Sequence, residues 1–150
     1  MWLMGFKLSN EGDYESAFKY YTKAAGLGDK SAHYNLSLLY RDGQGVEKDA
    51  EKYIYHLEEA AIGGHAWARH NLGNAECRNG RLERARKHYI IAANLGYHDS
   101  LSNLKLLYAD GHASKEEYAD ALRAYQVAED ATKSTGRETA ERIFRMRNGG

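Results

Sequence analysis

Four histidines are the first residues to test for chemistry. His65 and His70 stand close together, and His56 and His88 fall at equivalent places in two successive stretches of the chain. Zinc needs three or four ligands at tight spacing, yet no His-Glu-x-x-His run and no cysteine pair accompanies them. The place of His56 and His88 is held elsewhere by Tyr20 and Ala124, the pattern of a semi-buried filler, and no metal or other cofactor is expected. Cys77, the single cysteine, has His70 one helix face away. A catalytic thiol needs a base in reach, an oxyanion pocket and a lowered pKa, whereas Ser9, Arg41 and Ala109 at the matching positions mark a variable, partly exposed site. Asp42-Gly43-Gln44-Gly45 has the look of a phosphate cradle but lacks the Gly-Lys-Ser/Thr ending and the preceding strand. It is expected to be a turn, with Gly43 and Gly45 at positive φ. No enzyme emerges.

Two groups suit binding better. Arg78, Arg81, Arg84, Arg86 and Lys87 are the densest basic stretch, and Arg81, Arg84 and His88 share a helix face that would meet phosphate. The competing expectation, which we take, is ion pairing with Glu51, Glu58 and Glu59 of the preceding unit. Nucleic-acid binding stays an outside alternative. Asn35, Asn71 and Asn103 each precede the core leucine of a helix. Their amides would either hydrogen-bond the backbone of an extended ligand or form a ladder between neighbouring helices. Around Asn71, helical geometry places Trp67, His70, Asn74 and Arg78, and around Asn35 it places Tyr34. Aromatic and arginine anchors of this kind dominate protein interfaces.

The elements that position these residues come from a repeat. The block Ala17-Phe-Lys-Tyr-Tyr21-Thr-Lys-Ala24-Ala25 returns from Tyr53 to Ala61, from Ala85 to Ala93 and from Ala121 to Glu129, and a second pattern, Ala32, Leu36, Leu39 and Tyr40, returns upstream of the later blocks. Both patterns step by three and four, the spacing of a helix. Gly28, Gly64 and Gly96 follow the blocks where left-handed glycines close helices. Each unit thus holds helix A and helix B, and neighbouring pairs must stack to bury their apolar stripes. In 150 residues the 21 basic and 21 acidic side chains cancel, which argues against a protein devoted to neutralising phosphate or anionic lipid. Zero prolines suit helices joined by glycine turns.

The units resemble Sel1-like repeats, relatives of tetratricopeptide repeats. The residues carrying the resemblance are Asn35-Leu-Ser-Leu-Leu-Tyr40, Asn71-Leu72-Gly73, the loop Asp42 to Asp49, and Tyr20-Tyr-Thr-Lys-Ala-Ala25 with Gly28. The resemblance implies an all-α, right-handed solenoid of antiparallel helix pairs. We divide it into a shortened unit 1–28, units 29–64, 65–96 and 97–134, and a short capping helix with a frayed tail at 135–150, the helix entered through a Thr135–Glu138 capping box. It also implies a non-enzymatic adaptor, and with no signal peptide or transmembrane run in the sequence a cytoplasmic location is expected. A peptide or partner protein would lie on the concave helix-A face, against Tyr34, Asn35, Trp67, His70, Asn71, Asn74, Arg78 and Asn103. Segments 55–65 and 119–134 are similar to algal Sel1-like proteins that often carry an upstream RING-type finger, so a substrate-recruiting module of a ubiquitin ligase is the alternative. Because Gly5 matches Gly73, the first unit begins inside its A helix, and a longer protein is expected.

Overall fold

Eight helices and no strand make up residues 1–149, which the computed structural model describes: α1 (Trp2–Asn10), α2 (Tyr14–Gly26), α3 (Lys30–Asp42), α4 (Ala50–Ile62), α5 (Ala66–Arg78), α6 (Leu82–Asn94), α7 (His98–Ala109) and α8 (Lys115–Asn148). The fold is all-α, as the spacing predicts. The starts of five helices are set by side chains that satisfy free backbone N–H groups. Asp13, Asp29 and Asp49 accept from Ser16, Ala32 and Lys52, His65 Nδ1 accepts from Ala68, and Ser114 forms a reciprocal box with Glu117. At the ends, Gly28, Gly64 and Gly96 have φ of 89°, 90° and 91°.

Each of α1 to α7 packs on the helices beside it in sequence, and α8 lies against both α6 and α7. Odd-numbered A helices and even-numbered B helices therefore form a solenoid whose core is a chain of clusters. One centres on Tyr21 and Leu36, a second on Leu57 and Leu72, and a third on Tyr89 and Leu104. Small residues let the helices approach. Ala17, Ala60, Ala85 and Ala92 are fully buried, so the apolar stripes of α2 to α7 are spent largely on neighbouring helices.

The C-terminal end corrects the reading at 135–150. There is no stop near Gly136 and no separate capping helix, because α8 continues to Asn148. Thr135 does not cap a new helix: its hydroxyl donates to the Ala131 carbonyl, as Thr132 and Thr139 donate to Ala128 and Thr135. A hydroxyl bonded four residues back weakens or bends a helix only slightly, and one glycine costs it about 1 kcal/mol. Asn148 is helical rather than frayed, and Gly150, expected in the same tail, lies outside the described residues. Every residue from 130 to 149 is exposed, so α8 overhangs the solenoid by about 28 Å. A chain ending at Ser134 should therefore melt within about 3 °C of the full chain. A larger fall in a thermal melt would show that the overhang packs on the repeats.

Candidate aromatic binding face

Along the A helices the structure gathers rings from three successive units. Tyr34 of α3 stacks on His65 with centroids 4.5 Å apart and meets Trp67 of α5 edge-on at 6.0 Å. Trp67 lies 6.4 Å from Tyr97, at the start of α7, and Tyr97 meets the edge of His70 at 4.9 Å. Trp67 is 54% exposed, so a large apolar ring with one indole donor stands in solvent at the middle of this run. Its place is a consequence of the repeat. Trp67 is the second residue of α5 and projects past the preceding turn toward the N-terminal edge.

His65 and Tyr97 are absent from the expected site. Both occupy the N-cap position of an A helix, which in the previous unit is held by Asp29. An aromatic ring where a cap residue belongs was the available signal. Tyr97 makes no side-chain cap bond, so its ring serves the surface instead.

The remaining expected residues separate. His70 is a correction: it is 8% exposed, and its Nδ1 lies 2.7 Å from the Ser100 hydroxyl of the next A helix. It ties two units together beneath the surface, since the indole at Trp67 takes the outward place on that face. Burial pushes its imidazole below the usual range, with nearby Asp99 opposing. Arg78 is exposed at the far end of α5, about 16 Å along the axis from Trp67, and is not part of the aromatic run.

The asparagines occupy the ground between. Asn35 turns back, donating to its own Ser31 carbonyl at 2.9 Å. Asn71 lies within reach of the Tyr34 hydroxyl. Asn103 donates to Asn74 Oδ1 at 3.3 Å, and the same oxygen accepts from the Tyr89 hydroxyl at 2.7 Å. Asn74 and Asn103 thus link successive units. An amide has two N–H donors and a carbonyl, so these bonds hold the side chains in place without using all of their capacity.

Within the basic stretch Arg81, Arg84, Arg86 and Lys87 are ion-paired, but not to the expected partners. Glu51, Glu58 and Glu59 take no part. Arg81 and Arg84 both reach Glu76, whose carboxyl is held below its usual range first by the hydrogen bond from Arg81. Arg86 lies 3.1 Å from Glu117 and 3.7 Å from Glu83, which Lys87 also approaches. Glu76 occupies the position that other units give to tyrosine or leucine, which places an acid beside the guanidinium groups that follow it. Among the described residues no three His, Cys, Asp or Glu side chains converge as a metal site would require, and no helix is long and apolar enough to cross a membrane.

Known proteins share this architecture. A model of the Sel1 repeat matches residues 3–29, 30–65 and 68–97. In sequence the chain is similar to the mouse protein DAP3-binding cell death enhancer 1, with 25% identity over 187 residues, covering 98% of this chain and 37% of that protein. It is also similar to the Helicobacter pylori protein "Putative beta-lactamase HcpC", with 43% identity over 49 residues, covering 33% of this chain and 17% of that one. The chain therefore spans well under half the length of either relative. Among solved structures, a Sel1 repeat protein from Oxalobacter formigenes gives a TM-score of 0.73 at 27% identity, over 87% of this chain and 55% of that one. With three consecutive repeat matches running from residue 3 to residue 97, the chain belongs to the Sel1 repeat family.

Proposed function

We propose that this chain is a non-enzymatic scaffold whose helix-A face holds a peptide or a partner protein. Trp67 and Tyr34 are its main anchors, with Asn71, Asn74 and Asn103 supplying amides. Sel1 repeats are protein–protein interaction modules, and the mouse relative carries a partner protein in its name. The observation that carries the reading is the exposed indole of Trp67 held between Tyr34 and Tyr97. Aromatic side chains of this kind combine large contact area with a hydrogen-bonding tip, and a few such anchors supply most of the binding energy at interfaces. Asn35 and Arg78 take the edge of the face, and His70 supports it from below.

The enzymatic name of the Helicobacter relative belongs to that protein. In this chain the Ser100 hydroxyl, paired with His70, is 0% exposed, so no substrate reaches it as the chain is folded. The ligase alternative requires a zinc finger and adds no residue to this face.

Affinity capture from the source cell tests the reading. The Trp67→Ala, Asn71→Ala double variant should retain less than about a tenth of any partner held by the native protein, with its helical circular dichroism unchanged. Partners captured equally by both proteins would overturn the site.

A further inference from the structure

The charges around the aromatic face are not evenly spread. Asp99 occupies in α7 the place that Trp67 occupies in α5, one A helix further along. Its charge acts on the Tyr97 side chain, the ring that meets Trp67. The side chain of Asp99 is 70% exposed, and its recorded ion-pair neighbour is His98, at 3.9 Å. At the other end of the run the charge of Lys30 reaches His65. The rings thus pass from a cation beside α3 to a carboxylate beside α7.

Trp67 and Tyr97 are inclined at 52° to each other with centroids 6.4 Å apart, so they do not close into a face-to-face stack, and Trp67 remains 54% exposed. A planar cation is drawn to such faces by the negative charge above the rings, most strongly to tryptophan. Guanidinium combines this stacking with a fork of N–H donors that fits a carboxylate, whereas a lysine ammonium is a more strongly hydrated point charge. Face and carboxylate are both present here, from adjacent units.

We infer that this face recognises a basic segment of a partner protein, taking an arginine side chain against Trp67 and Tyr97 with Asp99 as its counter-ion. The inference rests on the scaffold reading above and adds the chemistry of the ligand. It also sets direction: the cation lies on the α7 side, and the segment runs toward α3, where Lys30 favours an acidic or neutral residue.

The test uses the full chain carrying Trp2→Phe, which leaves Trp67 as the sole tryptophan. Four capped nine-residue peptides, identical except for two central positions holding arginine, lysine, citrulline or glutamate, are titrated by indole fluorescence and by anisotropy of a labelled copy. Arginine should bind tightest, lysine several-fold weaker, and citrulline at least about 10-fold weaker than arginine. Asp99→Asn should weaken the arginine peptide about 3- to 10-fold and flatten its dependence on salt. Trp67→Ala, read by anisotropy, should abolish binding. Citrulline binding as tightly as arginine in a Trp67-dependent manner would overturn the charge assignment and leave the scaffold reading standing. An arginine peptide that does not bind also overturns it. If in addition captured partners ignore the Trp67→Ala, Asn71→Ala double variant, the scaffold site fails with it.

Discussion

Gly73→Ser is expected to lower the melting temperature by about 4–8 °C, although serine is the better helix former. A Cβ at Gly73 would stand 2.6 Å from the ring of Tyr89, and one at Gly5 would stand 2.7 Å from that of Tyr21. Tyr89 cannot retreat. It is 2% exposed, its hydroxyl donates to Asn74 at 2.7 Å, and Cys77 Sγ lies 3.4 Å away. Overpacking of this kind costs about 2 kcal/mol. The chain itself contains the remedy. At the matching position unit two carries Ser37, and opposite it the B helix carries Leu57 in place of tyrosine, both fully buried. Gly73→Ser with Tyr89→Leu should therefore recover part of the loss, with a favourable coupling of about 1–3 kcal/mol in a double-mutant cycle. Gly136→Ala serves as the opposite case, because nothing lies within 4 Å of a Cβ there, so the same kind of change should be neutral or slightly stabilising. Additive effects of the two substitutions in thermal melts would refute the pairing of small A-helix residue with large B-helix residue.

That pairing shows which parts of the molecule were open to reading from residues alone. The helices were legible because apolar residues recur every three or four positions and left-handed glycines close them, both local matters. The small position in helix A had its partner in the next helix, and the match of glycine with tyrosine and serine with leucine is visible only once the two are known to touch. Partners of Arg81 and Arg86 were misassigned for the same reason. Glu76 and Glu117 approach from directions set by packing, and spacing does not encode those directions. The α8 overhang ran against local cues, since Ser134, Thr135 and Gly136 together look like a stop while the hydroxyls in fact bond backward along one helix. In the site, Trp67 and Tyr34 were legible as outward neighbours of Asn71 and Asn35. His65 and Tyr97 were overlooked because their position was valued only for capping, and His70 was misjudged because one face of a helix contains both surface and buried places.

Acidification from pH 7.5 to 5 should lower the melting temperature by about 4–8 °C, and the loss should belong to histidine. Burial pushes the imidazoles of His56, His65, His70 and His88 below their usual range, His56 down to about 4 with further help from His33 and Lys52. Between the ordinary histidine pKa near 6.5 and these lowered values, the unfolded chain binds more protons than the folded one, so stability rises with pH. The contribution is fully present above about pH 6.5 and is lost as pH falls toward 4. Carboxylates held low by arginine, such as Asp42 and Glu76, lose their contribution only further down. Geometry supplies the reason. His33 and His56 face each other through Nδ1 atoms 3.0 Å apart, an arrangement in which one nitrogen must accept. His65 Nδ1 accepts the Ala68 N–H that starts α5, and a protonated ring cannot. Discounted for the partial exposure of its ring, His56 alone accounts for about 1 kcal/mol over this range, and the other three rings, of which His70 is buried, add to the loss. His56→Tyr, which places there the residue unit one carries as Tyr20, keeps a ring in the core and removes the lowest of the four titrations. Its melting temperature should vary less with pH than that of the native chain. A native protein equally stable at pH 7.5 and 5, or a His56→Tyr variant with an unchanged slope, would contradict the assignment.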